Sequence, residues 1–342
     1  MNTRTTRTVA TLGLMLIWLP AAAGAPDPES TGTASEQACL LQALAAADDA
    51  LTVGELRLRC RPQEPGATES LIMQRLEREA TAERVRSLLT AHRRNYLLPA
   101  TYMDDPNDRP FRDSVGDALA DDALKQVEAK FQLSLKLALA SGLVTTRDRL
   151  YLGFTTQSYW QAYNTDISAP FRETNYEPEL FWVTPLDGGP FDLDAGLLTL
   201  GFSHQSNGRG GTLSRSWNRL YANVAFEKDN LVVSLKPWWR IPERRKDDPL
   251  EAEGDDNPDI EKYLGHFEFN TIYRRWDHEF GLMLRNNLRS DNRGAVQLDW
   301  TFPLWGGLRG YAQYFNGYGE SLIDYDARIE RIGIGILLTD LL

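Results

Sequence analysis

Alternation of apolar and polar side chains dominates the chain from about residue 95 onward and constrains its fold more than any other feature. Because successive side chains of a β-strand point to opposite faces, each alternating segment predicts a strand with one apolar and one polar face. Such segments number twelve, at residues 95–103, 125–140, 148–160, 173–184, 195–206, 217–227, 230–240, 262–274, 278–288, 294–302, 307–316 and 328–339. An even number of strands of about ten residues is typical of a transmembrane β-barrel. We therefore predict an all-β fold, a twelve-stranded antiparallel transmembrane β-barrel, for residues 94–342.

The links between the predicted strands support this fold, because long and short links tend to alternate along the chain. The long links are residues 104–124, 161–172, 207–216, 241–261 and 317–327, and most of the others are short, at 141–147, 228–229, 275–277 and 303–306. In a barrel of this kind the long links are extracellular loops and the short links are periplasmic turns. A soluble β-sandwich or barrel is the alternative that the pattern alone leaves open.

Residues 1–25 have the features of a secretory signal peptide. Arg4 and Arg7 make the start basic, residues 9–19 are apolar, and residues 21–23 are alanines suited to cleavage. The chain as a whole has a net charge of −11, which argues against nucleic acid as a partner. The sequence therefore predicts an exported protein that does not bind nucleic acid.

Residues 26–93 differ in pattern from the predicted barrel. After a linker rich in Pro, Ser, Thr and Gly, apolar residues recur with helical spacing within residues 37–49 and 69–91. We predict a small periplasmic helical region here. Its cysteines, Cys39 and Cys60, are the two in the chain, and an oxidising compartment favours a disulfide between them. Two buried free thiols are the alternative.

The candidate chemistry lies between residues 201 and 218, where one predicted strand ends and the next begins. His204 and Ser206 are two residues apart and share one strand face, and Asn218 opens the next strand. A serine beside a histidine base, with an amide to orient the ring, is the pattern of Ser-His-Asn acyl transfer. His-x-Ser also occurs by chance and Ser-Asn-Gly is a common turn sequence, so a plain loop is the alternative.

The face that carries these three residues indicates the substrate. They continue apolar rows of their strands, namely Leu198, Leu200 and Phe202 before the loop and Leu220, Ala222, Val224 and Phe226 after it. Apolar rows of a barrel face lipid, so we expect a lipid ester near the outer leaflet rather than a water-soluble ester. An amide suits this position, since an ionised carboxylate near hydrocarbon is costly. Backbone N–H groups near Asn207 and Gly208 are the expected donors to the oxyanion.

A family resemblance is carried by several long runs of sequence, at residues 168–178, 204–209, 214–221, 236–238, 255–260 and 317–325. Together they resemble the Gram-negative outer-membrane phospholipase A family, over about residues 94–342. The resemblance implies a twelve-stranded barrel in the outer membrane of a Gram-negative bacterium. It implies hydrolysis of phospholipid acyl esters at either glycerol position, and of lysophospholipids. It assigns the nucleophile to Ser206, the general base to His204 and the orienting amide to Asn218.

The resemblance also implies a cofactor and a partner, because this family is calcium-dependent and active as a homodimer. Its calcium ligands at the dimer interface correspond to Ser168, the carbonyl of Arg209, and Ser214. A further calcium position, used in the monomer, corresponds to Asp256. Calcium prefers hard oxygen ligands, which these residues carry. Without the resemblance, residues 255–259 would be interpreted as a solvated acidic loop.

Two other functions compete with this prediction. A non-catalytic barrel, such as a channel or a lipid transporter, would carry its special residues on inward rows, whereas the candidates here lie on outward rows. A secreted soluble esterase would work without detergent. The chain departs from the usual pattern in ending with Leu342, where outer-membrane barrels usually end in phenylalanine. We expect this residue to affect assembly efficiency more than location.

Overall fold

The strands close into a ring. A computed structural model of the chain describes residues 70–84, 89–112, 123–189 and 193–339. Within these ranges twelve antiparallel strands pair in the order of the sequence, and the last pairs with the first to complete the barrel. A short additional strand at residues 89–91 pairs with the second strand of the barrel. This confirms the predicted twelve-stranded antiparallel barrel.

The strand bounds follow the predicted segments closely. They are β1 Leu89–Ala91, β2 Asn95–Met103, β3 Val127–Ser141, β4 Arg149–Trp160, β5 Phe171–Asp187, β6 Ala195–Ser206, β7 Ser216–Lys228, β8 Leu231–Arg240, β9 Phe267–Arg275, β10 His278–Asn286, β11 Gly294–Pro303, β12 Arg309–Tyr318 and β13 Arg328–Thr339. Three α-helices are described, α1 Leu71–Arg84, α2 Arg109–Arg112 and α3 Glu261–Leu264, with 3₁₀ turns at Thr165–Ile167 and Gly211–Leu213.

One predicted strand, 262–274, begins later than expected, at Phe267. Its first residues instead form helix α3, in which the Leu264 N–H donates to the Ile260 carbonyl oxygen at 3.0 Å. Both side chains are buried. Gly265 ends the helix with a φ of +69°, which glycine adopts without steric cost. The apolar residues that suggested a strand here are the buried face of a single helical turn.

The predicted helical region is present in part. Helix α1 is described from Leu71 to Arg84, and residues 89–91, the last of the predicted helical segment, instead form β1. None of the helices in the described part of the chain is long and apolar enough to cross a membrane. The signal peptide, the Cys39–Cys60 pair and Leu342 lie outside the described residues.

Helix α1 lies in the mouth of the barrel at the end that carries the short turns. The backbone N–H of Ile72 donates to Glu227 Oε2 at 2.7 Å, near the turn that joins β7 to β8. Leu71 and Ile72 pack with Val232, which follows that turn. At the opposite end the loop of residues 319–327 folds inward and buries Ile323. A cavity of about 500 Å³ lies within the barrel lumen.

The barrel interior is polar and its charges are paired. Arg172 Nη1 lies 2.8 Å from Asp324 Oδ2, and Arg172 Nε lies 3.1 Å from Glu128 Oε2, with all three side chains fully buried. Arg331 extends the network, at 2.8 Å from Glu128 and 2.9 Å from Glu320. Because a buried charge is stable only when it is paired, these contacts fix the inner face of the strands.

Two further arginines enter the lumen where β1 and β2 are interrupted. Residues 92–94 leave the sheet between these strands. Arg93 Nη1 then lies 2.7 Å from Glu177 Oε2, and Arg94 Nη1 lies 3.0 Å from Asp299 Oδ2. Because the first strand is interrupted here, the guanidinium groups of Arg93 and Arg94 reach carboxylates on β5 and β11.

Candidate active site

His204 and Asn218 meet across two neighbouring strands. They are directly paired in the register of β6 and β7. His204 Nδ1 lies 2.9 Å from Asn218 Oδ1. An amide oxygen only accepts hydrogen bonds, so Nδ1 must carry the proton in this contact. The other ring nitrogen, Nε2, is then the one able to accept a proton.

Ser206 lies two residues beyond His204 on the same face of β6. In the register it pairs with Ser216 of β7 on one side and with Tyr176 of β5 on the other. Among the residues with described positions, the Ser206 hydroxyl makes no hydrogen bond to the His204 ring. Catalytic hydrogen bonds are often long or poorly aligned before substrate binds, so this geometry leaves the pair a candidate.

The loop after Ser206 is organised by Asn207, whose side chain is buried. Asn207 Oδ1 accepts the backbone N–H of Arg215 at 3.0 Å, and Asn207 Nδ2 donates to the Leu213 carbonyl oxygen at 2.9 Å. The backbone N–H of Asn207 donates to the Arg215 carbonyl oxygen at 3.0 Å. The predicted oxyanion donor at Asn207 is thus already engaged.

Gly208 is the remaining predicted donor. Its φ is +64°, and a Cβ built on it would lie 3.3 Å from Cε2 of Tyr176. Glycine tolerates this left-handed conformation, which L-residues disfavour. The Gly208 N–H makes no hydrogen bond to any group in the described ranges. It is the free backbone donor next to Ser206.

The candidate residues lie on the outer wall of the barrel. Along β6, Leu200 and Phe202 are 45% and 39% exposed, whereas Ser203 on the opposite face is fully buried. Along β7, Leu220 is 46% exposed and the inward Trp217 is fully buried. His204, Ser206 and Asn218 share the parity of the exposed rows, as the alternation predicts. The site is a surface patch at the end of the strands that carries the long loops.

Asp256 joins this patch from the loop of residues 241–266. Its Oδ2 accepts hydrogen bonds from the hydroxyls of Ser214 and Ser216, both at 2.9 Å. Its Oδ1 pairs with the Lys246 ammonium group. A carboxylate and two hydroxyls are hard oxygen ligands of the kind that calcium prefers. Across the ranges that the structure describes, no three His, Cys, Asp or Glu side chains form a metal-binding group.

The other two predicted calcium ligands lie on neighbouring loops. Ser168 follows the 3₁₀ turn Thr165–Ile167, with a φ of +64°. Arg209 donates through Nη2 to the Arg172 carbonyl oxygen at 2.7 Å. In the part of the chain that the structure describes, neither forms a hydrogen bond with Ser214 or Asp256. The protomer brings together two of the four predicted ligands.

Three residues at the site were not predicted: Ser216, Glu243 and Lys246. Asn218 Nδ2 donates to Glu243 Oε1 at 2.9 Å. A sequence signal existed for Ser216, because Ser214, Ser216 and Asn218 repeat at the strand period of two. No comparable signal exists for Glu243 or Lys246, which lie in a long loop without periodicity.

The structure is a barrel with an apolar outer wall and with a serine, a histidine and an asparagine at one rim. This combination is the one expected of a membrane-embedded ester hydrolase. Residues 72–338 match the family model described as phospholipase A1. The chain belongs to the phospholipase A1 family.

Individual relatives agree with this membership. The chain is 39% identical over 264 residues to the putative phospholipase A1 of Neisseria meningitidis serogroup B, covering 75% of this chain and 67% of that protein. A Salmonella typhi outer membrane phospholipase dimer with bound calcium has a TM-score of 0.68 and 33% identity, covering 81% of this chain and all of that one. An active-site mutant of Escherichia coli outer membrane phospholipase A, asparagine to alanine, has a TM-score of 0.66 and 34% identity, covering 75% of this chain and 93% of that one.

These findings confirm three predictions. The protein is a phospholipase, it is located in the outer membrane, and its barrel has the predicted strand number. Family membership favours this enzyme over a passive channel or a soluble esterase.

Proposed function

We propose that this phospholipase is calcium-dependent and cleaves the acyl esters of phospholipids at both glycerol positions, and those of lysophospholipids. In this proposal Ser206 is the nucleophile, His204 the general base and Asn218 the residue that orients His204. A homodimer is the active form. The observation that carries the triad is the 2.9 Å contact of His204 with Asn218 beside Ser206, on lipid-facing rows.

The proposed reaction follows from the proton positions. With Nδ1–H held by Asn218, His204 Nε2 accepts the hydroxyl proton of Ser206 as its oxygen attacks the ester carbonyl. The imidazolium then returns this proton to the leaving alcohol, a lysophospholipid or a glycerophosphodiester, which leaves an acyl-enzyme. His204 next deprotonates a water molecule as its oxygen attacks the acyl carbonyl carbon. The bond to Ser206 Oγ then breaks, His204 returns the proton to Oγ, and the fatty acid is released. The asparagine keeps the ring in one tautomer without placing a second charge near lipid.

The Gly208 N–H is the proposed protein donor to the oxyanion. It has no hydrogen-bond partner among the described residues and lies two residues after Ser206, in a loop held by the Asn207 side chain. A preorganised backbone donor of this kind stabilises the charge that develops on the carbonyl oxygen. The exposed apolar wall along β6 supports the proposed approach of a lipid chain from the membrane.

Two calcium positions are proposed. At the dimer interface the ligands would be Ser168, the Arg209 carbonyl oxygen and Ser214, and within the monomer Asp256 would hold calcium beside the hydroxyls of Ser214 and Ser216. The donor atoms fit the ion, because all are oxygens. When bound, calcium would supply positive charge close to the developing oxyanion. The Salmonella typhi relative, a dimer with bound calcium, supports this part of the proposal.

The test is fatty-acid release from phospholipid mixed micelles by detergent-purified protein, with calcium and with chelator. We expect Ser206→Ala to abolish release and Asn218→Ala to lower it. Release by Ser206→Ala at the wild-type rate would refute the triad. Activity that chelation leaves unchanged would refute the calcium requirement. Cross-linking in the same detergent tests the dimer, which should increase with calcium and track activity.

A further inference from the structure

Glu243 contacts the candidate triad from a loop. Its Oε1 accepts a hydrogen bond from Asn218 Nδ2 at 2.9 Å. The Ile241 N–H donates to the Asn218 carbonyl oxygen at 2.8 Å, so the start of the loop is anchored to the same residue. Asn218 Oδ1 faces His204 Nδ1. Glu243, Asn218 and His204 therefore form a chain of two hydrogen bonds that ends at the His204 ring, two residues before Ser206.

The two ends of an asparagine amide have similar shapes but opposite hydrogen-bonding roles. If the amide turned over, its NH₂ would face His204, Nδ1 would become the acceptor, and Nε2 would carry the proton. A histidine in that tautomer cannot deprotonate Ser206. An ionised carboxylate only accepts hydrogen bonds, so Glu243 requires the NH₂ end of Asn218 to face it. Oδ1 then faces His204.

We propose that Glu243 is a positioning residue that selects the productive orientation of Asn218, and through it the tautomer of His204. This inference rests on the proposed triad. Among the side chains described, Glu243 forms no ion pair, whereas its neighbours Arg244 and Lys246 pair with Glu251 and Asp256.

The test compares Glu243→Leu, Glu243→Gln and the control Glu251→Gln, which removes a carboxylate from the same loop without touching Asn218. We expect Glu243→Leu to lower kcat about 10- to 100-fold with little change in KM, as loss of an outer orienting partner does elsewhere. Glu243→Gln should recover much of this rate, because its amide oxygen accepts the same hydrogen bond.

The tautomer of His204 separates positioning from a structural role. Nitrogen NMR of the His204 ring should show the proton on Nδ1 in wild type, Glu243→Gln and Glu251→Gln, and a loss of this preference in Glu243→Leu. Wild-type kcat and an unchanged tautomer in Glu243→Leu would overturn the inference. If Ser206→Ala kept its activity, the triad itself would fail, which is a different result.

A second, independent observation concerns Lys246. Its ammonium group pairs with the carboxylate of Asp256, and the two side chains are 8% and 7% exposed. The same carboxylate accepts both serine hydroxyls, Ser214 and Ser216. A cation belonging to the chain itself thus lies on the carboxylate at the proposed calcium position.

We infer that Lys246 competes with calcium for Asp256 and raises the calcium concentration that the monomer needs. This inference rests on the proposed calcium dependence. A tethered ammonium group acts at a high effective concentration, so calcium must displace it before binding. Once displaced, the flexible lysine stem can carry its charge into water, where it is strongly hydrated.

The test is calorimetric titration of calcium into detergent-purified wild type, Lys246→Met, and the control Lys228→Met, which removes an exposed lysine at the other end of β7. We expect Lys246→Met to bind calcium at least about tenfold more tightly than wild type. This change in Kd corresponds to about 1.4 kcal/mol of binding free energy. Adding Asp256→Asn should abolish the gain. Equal affinity in wild type and Lys246→Met would overturn the inference and leave the calcium proposal standing. If neither wild type nor Lys246→Met bound calcium, both this inference and the proposed calcium dependence would be refuted.

Discussion

Gly208→Ala tests the proposed oxyanion donor by moving one N–H group. At a φ of +64° an alanine costs about 1–2 kcal/mol. Its Cβ would also lie 3.3 Å from Tyr176 Cε2, tighter than an ordinary contact. We expect the loop to relieve both strains by rotating the peptide, which would displace the N–H group. Loss of one oxyanion donor raises the barrier by about 2.7–4 kcal/mol, so kcat should fall about 10²- to 10³-fold.

Gly210→Ala is the matched control, two residues further along the same loop. Its φ is −107°, and no atom of the described structure lies within 4 Å of the added Cβ. Initial rates of fatty-acid release across a range of phospholipid concentrations give kcat and KM, and circular dichroism gives the unfolding temperature. We expect Gly208→Ala to lose kcat while the barrel unfolds near the wild-type temperature. Wild-type kcat in Gly208→Ala, or an equal loss in Gly210→Ala, would refute the reasoning.

Two further predictions concern stability. Arg172→Met breaks the buried ion pairs of the barrel interior and should lower the free energy of unfolding in denaturant by about 3–5 kcal/mol. The same change at the exposed Arg147 should cost less than about 1 kcal/mol, and equal losses would contradict the argument. Burial alone would raise the pKa of the Glu79 carboxyl, but ion pairs with Arg75 and Lys136 hold it below its ordinary 4.5. The ion pairs of Glu79 therefore stabilise α1 above pH 4.5, and this stabilisation is lost as pH falls through the lower pKa that Glu79 has in the folded protein. Proteolysis at α1 should increase on acidification, and it should increase less in Glu79→Gln.

The alternation of side chains could predict much of this molecule. The period of two fixed which face of β6 carries His204 and Ser206, and the exposed Leu200 and Phe202 show that this face points outward. The His204–Asn218 pairing follows from the same periodicity once β6 and β7 are joined by one loop. A hydrophobic pattern specifies register because a slip of one residue would exchange the two faces.

The remaining contacts depend on features that have no period. Residues 85–91 carry apolar side chains that suit a helix or a strand, and pairing with β3 makes residues 89–91 a strand. The break at residues 92–94 places Arg93 beside Glu177, 84 positions further along the chain. Such ion pairs depend on ring closure, which local sequence does not encode. Glu243 and Asp256 likewise reach the site from a loop whose path is set by its own contacts.

The distribution of charge explains why that loop is part of the site. The outward rows of β6 and β7 carry no Asp, Glu, Lys or Arg from the rim to Gly196 and Phe226, since an ionised side chain facing hydrocarbon is costly. The one exception is Lys228, at the far end of β7. Acyl transfer and cation binding nevertheless both profit from carboxylates. Residues 241–266 resolve this conflict, because they bring Glu243 to Asn218 and Asp256 to Ser216 from a loop rather than from a strand. The strands can then keep an uncharged wall up to the rim, while the nearly buried Asp256 carboxylate is compensated by the Lys246 ammonium group and two serine hydroxyls.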